Sequence, residues 1–207
     1  MKIELTHLID AVVETICTNV DELTKLDQAI GDGDHGINMK RGFEAVANLR
    51  DEMGEMKLSA ALQKIGMTLV MNVGGASGPL YGTLFMQMGK TISDEINAQD
   101  LAIAFSKGVE ATAERGKSGP GQKTMLDVLV PVSEDMKKCS NEHLPINELL
   151  QHLVKRAQEC LDATIPMQAK KGRASFLGER SMGHRDPGAM SSFLIINAIS
   201  QSFMEKL

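Results

Sequence analysis

Apolar residues recur along this chain at spacings of three and four almost from end to end. Ile3, Leu5, Leu8, Ile9, Val12, Val13, Ile16 and Val20 form the first such stripe, one face of an amphipathic helix. Comparable stripes run over roughly 36–52, 58–72, 77–93, 99–115, 123–138, 146–165 and 188–205. No segment alternates apolar and polar residues with the β-branched and aromatic enrichment of a strand. The pattern predicts an all-α chain of eight helices, one domain over 1–207, without a sheet or an internal repeat.

The connections fall into two sets. Those near Gly54, at 94–98 and at 139–145 are plain polar links. The other four carry glycine and reactive groups. They read Asp27-Gln-Ala-Ile-Gly-Asp-Gly-Asp-His35, Val73-Gly-Gly-Ala-Ser77, Arg115-Gly-Lys-Ser-Gly-Pro-Gly-Gln122, and the long stretch Lys170 to Pro187. These follow the first, third, fifth and seventh helices. Helices joined by short links run antiparallel to their neighbours, so odd-numbered connections share one end. The sequence therefore predicts an antiparallel eight-helix barrel or bundle with a single active site on one rim.

Charge and composition narrow the chemistry. The net charge of −5 gives a nucleic-acid role no electrostatic support. An acidic chain that binds an acidic ligand needs cations or a local basic cluster. No apolar run approaches the ~20 residues of a membrane span. Lys2, Glu4, Asp10 and Glu14 interrupt the N-terminal stripe, unlike a signal peptide. Cys17, Cys139 and Cys160 are widely spaced and odd in number, and read as free core thiols of a reducing cytoplasm. The methionines, Met67, Met71, Met86 and Met88 among them, fall within helical stripes and read as core filling.

Asp27, Asp32 and Asp34 crowd three carboxylates into one short loop, which favours a compensating cation. Hard oxygen ligands suit Mg²⁺, which commonly also takes phosphate oxygens. A solvated turn with capping aspartates is the competing reading. Spacing excludes an EF-hand, because the closing Glu is missing. Gly31 to Gly36 fits G-x-G-x-x-G, but the preceding segment is helical, so a dinucleotide fold is rejected. Gly116 to Thr124 has one residue too many before its Lys, and no strand, for a P-loop. His35 and Asn38 open a helix whose first amides suit a phosphate; a plain helix start competes. Ser77 offers a hydroxyl to a phosphate, or closes a tight turn. Met125 is equally an adenine contact or a core residue. Asp186-Pro187 reads as N-cap and first residue of the last helix. The polar connection before it is lid-like in length, and Arg173 within it is suited to phosphate, or simply solvated.

Four motifs together resemble one family. Gly31-Asp-Gly-Asp-His-Gly-Ile-Asn38, Gly74-Gly-Ala-Ser-Gly-Pro-Leu-Tyr-Gly82, Lys123-Thr-Met-Leu-Asp127 and Gly172-Arg-Ala-Ser-Phe-Leu-Gly-Glu-Arg180 with Asp186-Pro-Gly188 look like the nucleotide-binding L subunit of dihydroxyacetone kinases. The resemblance spans essentially the whole chain. It implies an eight-helix barrel with a nucleotide at one end. It implies two Mg²⁺ ions on Asp27, Asp32 and Asp34. It implies ADP or ATP contacts from His35, Gly36, Ile37, Asn38, Ala76, Ser77, Gly116, Thr124, Met125, Arg173, Asp186, Pro187 and Gly188, with Arg173 and His35 closest to the chemistry.

Length selects within the family. ATP-dependent members carry a fused substrate domain, for which 207 residues leave no room. The chain therefore looks like the form linked to the phosphoenolpyruvate phosphotransferase system. That form implies a retained ADP, recharged by a phosphohistidine M subunit, and transfer to dihydroxyacetone on a K subunit. A homodimer in the cytoplasm is expected, bound to neither nucleic acid nor membrane. Gln122 stands where many relatives have an acidic residue, and Phe176 where Tyr is frequent. Three alternatives stay open: a nucleotide-sensing partner of a transcriptional regulator, a paralogue acting on another small sugar, and a stand-alone phosphohydrolase.

Overall fold

In a computed structural model, residues 4–93, 96–142 and 144–206 are described. Ile3, the first position of the first stripe, lies outside them, as do parts of the links at 94–98 and 139–145. Ten α-helices and a 3-10 segment occur among the described residues: α1 Leu5–Thr18, α2 Val20–Ile30, α3 His35–Ala47, α4 Arg50–Gly54, α5 Leu58–Asn72, α6 Ser77–Thr91, α7 Ala98–Gly116, α8 Leu126–Asn141, α9 Ile146–Ala163, the 3-10 segment Arg173–Ser181, and α10 Pro187–Met204. No strand occurs among those residues.

Eight of the helices close a ring. α5, α6, α7, α8, α9 and α10 pack in chain order; α10 returns to α1, α1 packs on α3, and α3 on α5. The expected eight-helix barrel is this ring. Its inner stripes supply the core: Ile9 and Val12 from α1, Phe43 and Val46 from α3, Leu62 and Ile65 from α5, Leu149 and Leu153 from α9. They enclose an apolar cavity of about 230 Å³, to which all eight ring helices contribute.

Two stripes break where the sequence reading expected none. The first ends at Thr18, where Thr18 Oγ1 donates to Glu14 O and Asn19 Nδ2 to Thr15 O. Such side chains compete with the helical ladder. The chain resumes as α2, which buries Leu23, Asp27 and Ile30. Asp27, expected in a loop, thus lies in the last turn of a helix. The second stripe breaks between Ala47 and Arg50, leaving the short α4. The stripe expected from 123 begins as a helix only at Leu126, because Lys123 stands at φ 59°.

α2 lies outside the ring and packs on α3, α10 and the 3-10 segment, so it caps one rim. Met67 and Met71 were read as core filling, but they are exposed. α5 turns Leu62, Ile65 and Leu69 inward instead, and both methionines occupy its outer face. The cysteines are free; Cys139 and Cys160 are buried and Cys17 is partly so.

Candidate functional site

The four glycine-rich connections meet at the rim capped by α2. They surround a cleft of about 490 Å³. It is separate from the apolar cavity inside the ring, and the two share no lining residue.

Asp27 is 8% exposed. Its Oδ2 accepts the amides of Asp34 at 2.8 Å and His35 at 3.1 Å, so it caps α3 from the preceding helix. Asp32 and Asp34 follow on the open side, and carboxylate oxygens of all three lie within 4.8 Å of one another. Three carboxylates at that separation, one of them fixed by two amides, fit a hard divalent cation. Gly36 lets α2 approach α3, since a Cβ there would run into Val20 O and Thr24. Behind the turn, the first amides of α3 have no helical acceptor.

His35 is buried, and both of its ring nitrogens are engaged. Nε2 meets Ser191 Oγ at 2.9 Å and Nδ1 meets Ser77 Oγ at 3.2 Å. Burial pushes the imidazole below its ordinary range, against the opposing pull of Asp27 and Asp34. A neutral ring between two hydroxyls aligns the starts of α3 and α6 with α10. Asn38 accepts from Arg41 at 2.8 Å, and Arg41 also donates to Asn72 O at 2.6 Å. Gly74 lies so close to the Asn38 amide that a Cβ would come within 2.5–2.9 Å of it. This seats the Val73–Ser77 turn, with Ala76 and Ser77 on the cleft wall.

Gly116, Thr124 and Met125 line the opposite wall. Asp127 orders that segment, accepting Gly121 N at 2.5 Å and Thr124 N at 2.7 Å. Met125 is 5% exposed and counts both as core and as lining. Asp186 caps α10 by accepting Ala189 N at 2.7 Å, with Pro187 next, as its sequence suggested. Burial pushes the Asp186 carboxyl up to about 7, although the Ala189 amide opposes the shift. Arg173 crosses the mouth, its Nε 3.1 Å from Asp32 Oδ2, with its side chain 73% exposed.

Most of the expected residues therefore line one cleft. Gly36 and Ile37 do not; Gly36 is buried under α2, and Ile37 is 58% exposed. Tyr81 and Lys123 are among the lining residues that escaped the sequence reading. Tyr81 is fully buried, its hydroxyl 2.8 Å from Ser191 Oγ, 2.9 Å from Ser192 Oγ and 3.3 Å from Gly188 O. Burial pushes its phenol up to about 12, so it stays a donor. The available signal was that this is the only tyrosine, inside a glycine-rich motif. The type and motif of Lys123 gave no hint of burial.

A closed ring of eight helices, with a loop-rim cleft that carries a cluster of three aspartates, defines a helical-barrel protein with one site at its end. The chain shares its fold with the C. freundii dihydroxyacetone kinase crystallised with AMP-PNP and Mg²⁺, at TM-score 0.74 and 23% identity, over 96% of this chain and 33% of that one. It spans about a third of that structure. Residues 29–201 match the DAK2 domain model, and the chain belongs to that family. It is 40% identical to the ADP-binding subunit of the PEP-dependent dihydroxyacetone kinase of Escherichia coli, over 91% of this chain and 90% of that one. It is 44% identical to the corresponding subunit of kinase 1 of Listeria innocua, with the same coverage of both chains. These relatives place the chain among the phosphotransferases. No helix among the described residues is long and apolar enough to cross a membrane.

Proposed function

We propose that this chain, with 1–207 as one domain, is the ADP-binding, magnesium-dependent subunit of a phosphoenolpyruvate-dependent dihydroxyacetone kinase. The observation that carries the reading is the convergence of Asp27, Asp32 and Asp34 within 4.8 Å beside the first turn of α3. Relatives named as ADP-binding subunits, matched over nine tenths of their length, supply the nucleotide.

Asp27, Asp32 and Asp34 would hold two Mg²⁺ ions, which when bound neutralise phosphate charge. The chain's own residues do the rest. His35 and Asn38 bring the start of α3, a helix N-terminus suited to phosphate, to the cleft wall. His35 holds Ser77 in place rather than presenting a ring nitrogen. Ala76, Ser77, Gly116, Thr124 and Met125 form the two walls, and Asp186, Pro187 and Gly188 form the floor. Arg173, already at the mouth, supplies positive charge to the transferring group, where positioning and charge dominate phosphoryl transfer. An M subunit bearing phosphohistidine delivers the phosphoryl group, and a K subunit holds dihydroxyacetone. This chain then contributes half of a shared site in the cytoplasm.

Mass spectrometry of the natively purified chain tests the reading. ADP with two Mg²⁺ is expected, with loss of both in Asp32→Ala. The chain alone with ATP should not phosphorylate dihydroxyacetone, and should do so once K and M proteins are added. An Asp32→Ala chain that keeps wild-type ADP and metal content would sink the proposal.

A further inference from the structure

Lys123 is 1% exposed and stands in the left-handed region at φ 59°. A buried ammonium is costly unless it is paired and hydrogen-bonded. Here it donates to Thr164 O at 2.8 Å, Met167 O at 3.1 Å and His184 O at 2.6 Å, with Ile165 O at 3.4 Å. An ammonium has three N–H donors, and the three shorter bonds use them all. Every acceptor is a main-chain carbonyl. The neighbouring carboxylates are occupied elsewhere: Asp127 by the amides of Gly121 and Thr124, Asp186 by that of Ala189.

The placement of those carbonyls matters. Thr164, Ile165 and Met167 lie just past the end of α9, at the negative end of its dipole. His184 lies where the chain comes back to α10. These are the two feet of the connection that carries Arg173. Gly183 N donates to Ile165 O at 2.8 Å and Ala169 N to Ser181 Oγ at 2.9 Å, so the feet also meet directly. On the other side, Lys123 is joined by one peptide bond to Thr124 and by two to Met125.

We infer that Lys123 is a positioning residue: its ammonium is a fixed cation in a carbonyl cage that sets the Arg173 connection and the Thr124–Met125 wall in register for the nucleotide. The inference rests on the nucleotide reading above. It assigns Lys123 no contact with the ligand. Removing the ammonium takes its bond from the carbonyls of Met167 and His184 and one of two donors from those of Thr164 and Ile165, which loosens both walls of the cleft.

Calorimetric titration of Mg²⁺-ADP into wild-type chain and Lys123→Ala tests this. Affinity should fall by about tenfold or more in the variant. Propylammonium restores the deleted atoms and should recover it; tetramethylammonium carries the charge but cannot donate, and should not. Wild-type affinity in Lys123→Ala overturns the inference, and so does equal rescue by both cations. A wild-type chain that binds no ADP sinks the nucleotide reading first, which is a different result. Where the variant does not fold, the unmodified protein serves. Its Lys123 ammonium should give a slowly exchanging ¹⁵N resonance that shifts when Mg²⁺-ADP is added. No protected resonance, or one that ADP leaves unmoved, overturns the inference.

Discussion

The aspartate turn between α2 and α3 and the long connection between α9 and α10 meet at the mouth of the cleft, where α2 packs on the 3-10 segment, and different means hold them in shape. The turn is closed by its own residues: Asp27 accepts the amides of Asp34 and His35, seven and eight positions on. The connection has bonds of its own, but its feet are tied from outside, by Lys123, 61 residues before the exit at His184. The first is a local device and persists wherever its short sequence does. The second depends on the whole barrel bringing α8 under the ends of α9 and α10. Charge follows the same division. The turn concentrates carboxylates for a cation to neutralise, whereas the connection supplies Arg173 and is built around a cation of its own.

The comparison breaks most severely at the turn itself. Asp32→Ala should reduce Mg²⁺-dependent ADP affinity by at least on the order of 100-fold and leave the melting temperature unchanged. Asp32 is exposed, and its recorded partner is the solvent-facing Arg173. Asp27→Ala should lose the same affinity and also stability, by about 1–2 kcal/mol for a lost cap. Titration and thermal melts of the pair check this. If Asp27→Ala melts like wild type, the turn is not closed by its own carboxylate.

The next effect lies at the exit of the connection. Asp186 has its carboxyl pushed up to about 7 from an ordinary 3.8, chiefly by burial, with Asp127 adding and Lys123 opposing. Between those values the folded chain keeps a proton that the unfolded chain has released. Its stabilising contribution is complete below pH 3.8 and is lost as pH rises to about 7. Each unit in that window is worth up to about 1.4 kcal/mol. Asp186→Asn keeps a good cap without a titrating group. The stability of wild type relative to this variant should therefore fall from pH 4.5 to 7.5 in urea melts. A difference that does not change with pH would reject the assignment.

Tyr81 joins the two regions, since Ser191 bonds both its hydroxyl and His35, while Gly188 follows the exit. Tyr81→Phe should cost about 1–3 kcal/mol, the penalty for leaving buried partners short of a bond. Hydrogen exchange should quicken on both sides of the cleft, at the start of α3 and of α10. Quickening on one side alone would show that the two regions are held independently.

These differences also mark what the sequence could show. The helices 58–72, 77–93 and 99–115 are legible because each buries one stripe, and the period reports it. The Asp triplet and the Asp186-Pro187 cap are legible because their chemistry is local. α2 was hidden because its buried face is sparse and includes Asp27, so its last turn looked like a loop. The cage around Lys123 and the Tyr81 hub were hidden for another reason. Both depend on carbonyls and hydroxyls from segments far away in sequence, and nothing in a lysine or a tyrosine announces which acceptors the fold will bring to it. Met67 and Met71 misled because a ring helix has apolar residues on both faces.

The smallest expected effect sharpens the contrast between the feet of the connection and its tip. Phe176 is 88% exposed within the 3-10 segment Arg173–Ser181. An aromatic ring that is almost wholly in water contributes little burial to the fold. The order of the segment comes from other residues: Ala174 and Leu177 pack with Ile30 of α2, and Ser181 Oγ donates to Gly178 O at 2.6 Å and accepts Ala169 N at 2.9 Å. Phe176→Ala and Phe176→Tyr should both leave stability within about 0.5 kcal/mol of wild type, and leave the ADP affinity of the chain unchanged. Urea unfolding and ADP titration of the two variants check this. A loss above about 1 kcal/mol in Phe176→Ala would mean that the Phe176 ring itself packs on the barrel and helps to hold the connection.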